Sequence, residues 1–364
     1  MDFPDDNNLR LALETAEARA RLAAAALPDR RCEDWRFGKP HRYAAELAAL
    51  LEGASPSGDI RLQAPRDCAA NLSPEEADSE LLMRSIGSDY LLARHHAHFG
   101  QGVSLLLDGH YEEPIVITYE TEGLFLPSTL IMAAPGTKAH LIERHITHGN
   151  GCTFCTRCIH ACEGAELSVE LREEGSGDSR ALNITNITAI NARVRHLSTH
   201  SGHRWAREET LAELLSAPSG SPSDVGLYSA NRLSGEQVLD QHTRQIHTNG
   251  GAASDLLYKN VIDDKATAVF AGNIYVAPGA HATDAYQANR NMLLSERATV
   301  HSLPGLEILA DRVRCSHGSA SAPMDSEQLH YLLSRGIPQH EAQMLVAEGF
   351  LADVLTRFRS AEQA

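Results

Sequence analysis

Short β-like segments separated by turn residues fill the middle of the chain. Segments such as VSLLL (103–107), IVITY (115–119) and LSVEL (167–171) are rich in β-branched or apolar residues, and Gly, Asp, Asn or Pro separate them. Similar units continue from about residue 90 to about residue 309. The pattern predicts an all-β body. Periodicity alone leaves a sandwich, a barrel and a stacked β-solenoid open.

Helix-forming patterns lie on both sides of this body. Residues 9–26 are rich in Ala, Leu, Glu and Arg, residues 42–52 continue the pattern, and Ser73 precedes a proline and two acids as a helix N-cap would. Near the other end, residues 325–336 begin with a capping Asp and end at Gly. After Pro338, apolar residues recur at steps of three and four, which predicts a helix with one apolar face.

Composition narrows the function. The chain has 364 residues, 43% of them hydrophobic, and a formal net charge of −16 at pH 7. An acidic chain without a Lys/Arg stripe is a poor match for phosphate, so we expect no nucleic-acid partner. No apolar stretch reaches membrane-spanning length, and the first residues, MDFPDD, do not resemble a secretory signal. We therefore expect a cytoplasmic protein without a membrane partner.

The most conspicuous motif is a run of four cysteines, Cys152, Cys155, Cys158 and Cys162. Its spacing matches the bacterial ferredoxin run, but Glu163 stands where proline follows the last cysteine there. On a strand, Cys152, Cys158 and Cys162 would share one face and Cys155 would lie opposite. Two hypotheses therefore stay open: small buried thiols, or an accessory metal site.

A second pair, Cys315 and His317, is two residues apart. On a strand both side chains point to one face, so a thiolate and an imidazole could share one metal. Two ligands leave such a metal with open positions, which other residues or another subunit would have to fill. The alternative is a buried free cysteine beside a surface histidine.

Histidines are numerous, nineteen in all. His196, His200 and His203 could bind a divalent metal, but we interpret them as exposed histidines of a loop. The pair His242 and His247 follows Asp240, and we expect hydrogen bonding rather than metal ligation there.

Catalytic signatures are missing from the sequence. It contains no Gly-x-x-x-x-Gly-Lys-Ser/Thr phosphate loop, no Gly-x-Ser-x-Gly elbow and no His-Glu-x-x-His motif. We therefore expect a non-catalytic protein that does not hydrolyse ATP.

Three segments carry a family resemblance. DAYQANRN (284–291) and LPGLEILAD (303–311) precede the Cys315/His317 pair, and PDRRCEDWRF (28–37) lies near the start. Together they resemble the SufB/SufD family, the scaffold subunits of the SUF iron–sulfur cluster assembly machinery, and most of all its SufD branch. One departure is SASAP (319–323), which replaces the usual Ala-Thr-Val-Gly after the pair.

The resemblance implies a mainly β fold, a right-handed parallel β-helix in which each coil buries its apolar face by stacking on its neighbours. It divides the chain into an N-terminal helical domain (1–88), a β-helix core (89–318) and a C-terminal helical domain (319–364). The departure at 319–323 leaves the turn into the last helices open.

The resemblance also implies a function. The chain would be a scaffold subunit of a SufBCD complex, with a SufB-like subunit paired along the β-helices and a SufC-like ATPase docked on the C-terminal helical region. His317, with Cys315, would lie near the interface with SufB, where an iron–sulfur cluster forms transiently. A homodimer in isolation and FAD binding by the complex stay open.

Two other classes of protein compete with the scaffold. One is an independent iron–sulfur or metal carrier that uses Cys152, Cys155, Cys158 and Cys162. The other is a β-solenoid adhesin or carbohydrate enzyme, which would need a secretion signal or a groove lined with carboxylates.

Overall fold

A computed structural model describes residues 26–28, 32–37, 40–53, 56–64, 68–72, 84–216 and 220–362. Nearly all of the helix predicted over 9–26, and the helix predicted after Ser73, lie outside the described residues.

The described helices are four, preceded by a short 3₁₀ turn: the turn Glu33–Trp35, α1 (Pro40–Gly53), α2 (Asp89–His98), α3 (Ser326–Ser334) and α4 (Gln339–Glu362). The described strands are β1 (Asp59–Gln63), β2 (Ala69–Leu72), β3 (Gln101–Leu107), β4 (Ile115–Thr121), β5 (Leu124–Phe125), β6 (Pro127–Ala133), β7 (Lys138–Thr147), β8 (Cys152–Ala161), β9 (Glu166–Gly175), β10 (Arg180–Ile190), β11 (Arg193–Ser201), β12 (Trp205–Leu215), β13 (Asp224–Leu233), β14 (Val238–His247), β15 (Ala253–Ile262), β16 (Thr267–Val276), β17 (Asp284–Leu293), β18 (Thr299–Ile308) and β19 (Arg314–Pro323).

These strands wind into a β-solenoid of about 8 turns. Each turn gives one strand to each of two sheets, whose orders are β1-β4-β7-β9-β11-β13-β15-β17-β19 and β18-β16-β14-β12-β10-β8-β6-β3-β2. Neighbours are parallel except at the first pairs, where β1 and β2 join antiparallel. The predicted parallel β-helix flanked by helices is confirmed.

Alternation along each strand creates the interior. In β7 and β9, inward residues stack in register, so that Ala139 pairs with Leu167 and Leu141 with Val169. All four belong to one long apolar cluster inside the solenoid. A single coil could not bury these side chains, so stacking of successive coils is what stabilises the fold.

The corners of the coils depend on glycine at close approaches. Gly202 has φ +78°, and a Cβ at this position would lie 1.9 Å from the carbonyl oxygen of Gly175 on the preceding coil. Only glycine accepts both the left-handed backbone and the close contact.

The outer face of the ten-stranded sheet is covered by the N-terminal segment. Trp35 and Tyr43 stack on Trp205 of β12, with ring centroids 6.1 and 5.1 Å apart. Arg207, fully buried, lies 4.1 Å from the Trp35 ring and forms an ion pair of 2.6 Å with Asp240. The tryptophan of segment 28–37 therefore anchors this cover to the solenoid.

The outer face of the nine-stranded sheet receives the last helix. Val354 and Phe358 of α4 pack against Tyr228 and Leu257. This is the apolar face that the sequence predicts after Pro338, so it packs along the side of the sheet. None of the described helices is long and apolar enough to cross a membrane.

Other sequence predictions meet the structure in part. The helix predicted over 42–52 is confirmed by α1, whereas β1 and β2 add strands to a stretch expected to be helical. β19 continues through Pro323, so the departure at 319–323 lies within a regular strand. The limits of the three domains stay a prediction.

Candidate functional site

As far as the described residues show, the last coil leaves both sheets with an open edge. Within the described part of the chain, β18 pairs only with β16, and β19 only with β17. Apolar side chains of β18 and the residue after it stand partly in solvent, with Leu306 38% and Leu309 51% exposed. This end of the solenoid therefore presents unpaired backbone groups together with apolar surface.

Cys315 and His317 lie on this coil. β19 places Cys315 beside Ala285 and His317 beside Gln287, two buried residues of the preceding coil. The pair thus shares the inward face of the strand, as its spacing predicts. His317 is exposed, while Cys315 is half-buried, and burial raises the pKa of its thiol.

A polar ladder runs inside the solenoid to this end. Asn231, Asn260 and Asn291 join in succession through bonds of 2.8 and 2.9 Å, and Asn291 donates to Ser321 Oγ at 3.2 Å. The ladder was not predicted from the sequence, although asparagine recurring at roughly one coil length was the available signal. Stacked amides of this kind satisfy one another inside the coil.

The cysteine run does not converge. Cys152 and Cys158 of β8 face outward into the apolar cluster beneath the N-terminal helices, while Cys155 faces the interior. Cys162 follows the end of the strand and is partly exposed. Burial raises the pKa of Cys152 and of Cys158 to about 12. The opposite placement predicted for Cys155 is thus observed, and it disfavours one shared metal.

The interpretation of His196, His200 and His203 as exposed loop residues is wrong. His196 and His200 lie on β11 and point inward, and all three are buried. His200 Nε2 is 2.9 Å from Glu208 Oε2, and His203 Nε2 is 3.2 Å from Glu173 Oε2. Sequence reasoning missed these partners because inward acids come from other strands of the coil.

Hydrogen bonding at Asp240 and His242 agrees with the sequence prediction. His242 Nε2 lies 2.8 Å from Asp240 Oδ1, on the outer face beneath the N-terminal cover. His247 points inward, with Nε2 2.9 Å from Ser254 Oγ.

A charged network occupies the interior at β7, β8 and β9. Glu143 Oε2 accepts from Arg157 Nε at 3.0 Å, and Glu143 Oε1 lies 2.6 Å from His145 Nε2. Burial would raise the pKa of Glu143, but Arg157 and His145 hold it well below its usual value. Burial would lower the pKa of His145, but Glu173 raises it far above the usual range. The network therefore neutralises its own charges.

A β-solenoid whose final coil presents a thiol and an imidazole at an open sheet edge has the form of a binding scaffold. Residues 116–350 match the family model described as SUF system FeS cluster assembly, SufBD core domain. The chain belongs to the SufB/SufD family of SUF-system iron–sulfur cluster assembly proteins, and it is SufD-like.

Three relatives agree with this placement. The iron-sulfur cluster assembly protein SufD of Escherichia coli is 28% identical over an alignment of 385 residues, covering 93% of this chain and 87% of that protein. A SufBD family protein of Synechocystis is 30% identical over 198 residues, 54% of this chain and 43% of that protein. SufD of Bacillus subtilis is 38% identical over 121 residues, 33% of this chain and 28% of that protein.

Proposed function

We propose that this chain is a non-catalytic scaffold subunit of a SufBCD-type complex, and that its open terminal coil pairs with a SufB-like subunit. The observation that carries the proposal is the outer edge of β18 and β19, which has no strand partner among the described residues and which holds Cys315 and His317 at one end of the solenoid. Membership of the SufB/SufD family supports a role in iron–sulfur cluster assembly.

The physical case for a partner rests on the edge itself. Exposed strand edges carry unsatisfied N–H and C=O groups, and a second β-helix that adds its strands in register satisfies them. Leu303, Leu306 and Ile308, each 38% exposed, would become buried in the same step. A second copy of this chain could occupy the edge in isolation, which gives the expected homodimer.

Cys315 and His317 supply half of a ligand set. Thiolate sulfur and imidazole nitrogen suit iron, and a nascent cluster would take its remaining ligands from the partner subunit. Because burial raises the pKa of the Cys315 thiol, a metal would have to displace its proton. A ligand set divided between two chains is expected for an iron–sulfur cluster that is assembled at the interface and then released.

The C-terminal helices are the proposed contact for the SufC-like ATPase. Tyr331 and Leu333 of α3, and Leu345 of α4, are 57%, 38% and 49% exposed. Lys259 of β15 fastens α4 to the sheet, since its Nζ lies 3.0 Å from the Phe350 carbonyl oxygen. A movement of the bound ATPase would therefore be transmitted through α4 to the strands. FAD binding by the complex stays a prediction without assigned residues.

The test is cluster reconstitution with the SufB-like and SufC-like partners. We expect His317→Ala to lower cluster yield at least about 10-fold, as loss of a ligand would, while the melting temperature of the isolated chain is unchanged. His110→Ala is the matched control, because His110 is also exposed but lies near the opposite end of the solenoid. Equal yields from the two variants would refute the ligand role of His317.

A further inference from the structure

Three potential metal ligands meet in the solenoid interior, away from the open end. They are Glu143 and His145 of β7 and Cys155 of β8, and each is at most 2% exposed. A carboxylate oxygen, an imidazole nitrogen and the thiol sulfur all lie within 4.8 Å of one another. This separation is small enough for one cation to touch all three after minor side-chain adjustment.

The imidazole is oriented toward the other two ligands. His145 Nδ1 lies at ion-pair distance, 2.5 Å, from Glu173 Oε1 although the two are not aligned as a hydrogen bond, and this leaves Nε2 facing Glu143 Oε1 at 2.6 Å. A carboxylate behind one ring nitrogen is the usual support of a metal-binding histidine, because it fixes both tautomer and ring orientation. Cys155 Sγ completes the group at 3.6 Å from the same Glu143 oxygen.

The carboxylate is supported in the same manner. Arg157 Nε donates to Glu143 Oε2 at 3.0 Å, and Arg157 Nη1 donates to Thr185 Oγ1 at 2.8 Å. Arg157 Nη2 also contacts Oε1, so a bound cation would share that oxygen with the guanidinium. Glu143 is thereby held in place with one oxygen directed at His145 and Cys155.

We propose that Glu143, His145 and Cys155 form a buried site for a single divalent cation of the zinc type. The donor set of one oxygen, one nitrogen and one sulfur suits such a cation, and three protein ligands leave one position for a water. Nearby, buried His196 has neither ring nitrogen bonded within the described residues. Orphaned buried atoms of this kind are commonly satisfied by internal water.

Charge balance permits a divalent cation to replace two protons at this site. Without metal, the two negative charges of Glu143 and Glu173 are balanced by two positive charges. One is the guanidinium of Arg157, and the other is protonated His145, which contacts both carboxylates. A divalent cation would displace the His145 proton and the Cys155 thiol proton, both of which leave to solvent. The total charge of these side chains and the cation together is then the same as before. Metal binding therefore places no additional net charge in the protein interior.

This site goes beyond the proposed function, because it requires no partner subunit and uses none of the residues at the open end. It also differs from the four-cysteine site of the sequence hypothesis. Only Cys155 is common to both, and Cys158, on the same strand and equally buried, faces the other way beside His160 at 3.3 Å.

The experiment is metal analysis of the full-length chain refolded with Zn²⁺, and separately with Co²⁺, followed by dialysis. We expect about one equivalent of metal per chain and the absorption of a cobalt–thiolate bond. Cys155→Ser should remove both signals, while Cys158→Ser, the matched control, should keep both. Circular dichroism of each variant establishes whether it has folded.

Two results would overturn the proposal. One is a wild-type chain that retains no metal and shows no cobalt–thiolate absorption. The other is a loss of metal in Cys158→Ser as large as in Cys155→Ser. If Cys155→Ser does not fold, Cys155→Ala and the wild-type cobalt spectrum decide, since a spectrum without thiolate absorption excludes Cys155 as a ligand.

Discussion

Two parts of the same solenoid handle polar side chains in opposite ways. At β7 to β9 each coil has neighbours on both sides, and Glu143, His145 and Arg157 are buried and mutually neutralised. At β19 the coil has one neighbour in the part of the chain that the structure describes, and Cys315 is half-buried while His317 is exposed. The interior charges are thus paired within the chain, whereas the terminal coil holds a thiol and an imidazole beside strands with no outer neighbour among the described residues.

The two regions should also respond differently to substitution. Removing one partner of a buried ion pair leaves the other charge unpaired in a medium of low dielectric constant. An exposed ion pair contributes little to the free energy of unfolding. Substitutions in the interior should therefore change stability, and substitutions on the terminal coil should change association.

The largest expected effect is on the interior network. Arg157→Ala leaves Glu143 without its guanidinium and should lower the free energy of unfolding by about 3–5 kcal/mol, measured by urea denaturation. The matched control is Arg144→Ala on the outer face, where Arg144 pairs with Glu174 at 2.9 Å and both side chains are partly exposed. That variant should lose about 0–1 kcal/mol. Equal losses of unfolding free energy in the two variants would contradict the expected difference between the buried and the exposed ion pair.

The second prediction concerns the folding stability of the chain at acid pH. Burial lowers the pKa of His95 to about 3 and of His247 to about 4. Below a pH of about 6.5 the unfolded chain takes up protons that the folded chain cannot, so stability is complete above that pH and is lost as pH falls toward these values. Each histidine contributes a slope of up to about 1.4 kcal/mol per pH unit.

His247→Gln tests this slope, because glutamine can still bond Ser254 but does not titrate. Urea denaturation between about pH 6 and about pH 5, above the range where carboxylates titrate, should give a shallower slope than in wild type. An unchanged slope would show that His247 is protonated in the folded chain as readily as in the unfolded one.

The smallest expected effect on the isolated chain belongs to the open edge. Leu306→Asp should lower the free energy of unfolding by no more than about 1 kcal/mol, because the side chain is only partly buried, yet weaken binding to the SufB-like subunit at least about 10-fold. Leu106→Asp is the matched control, because Leu106 is 62% exposed on β3, near the other end of the solenoid. Titration calorimetry with both variants measures the difference, and equal affinities would place the partner elsewhere.

The sequence predicted the strands and their alternation because each strand carries its own pattern of inward and outward residues. The same reasoning placed Cys155 opposite Cys152 and put Cys315 and His317 on one face. It failed for His200, since a short polar segment with glycine resembles a loop and its partner Glu208 lies on another strand.

The interior metal site was beyond sequence reasoning for a related cause. Glu143 and Cys155 are twelve residues apart and belong to different sheets, and only the winding of the coil brings them together. The spacing of Glu143 and His145 places both on one face of β7, but which residue of β8 lies opposite them depends on how the coil turns between the two sheets.

We propose that the open coil makes this chain one subunit of a larger assembly. Co-expression with the SufB-like and SufC-like proteins, tag purification and light scattering of the eluted species test it most directly. We predict one stable complex that contains all three chains. Recovery of this chain alone, with neither partner, would show that it does not form such an assembly.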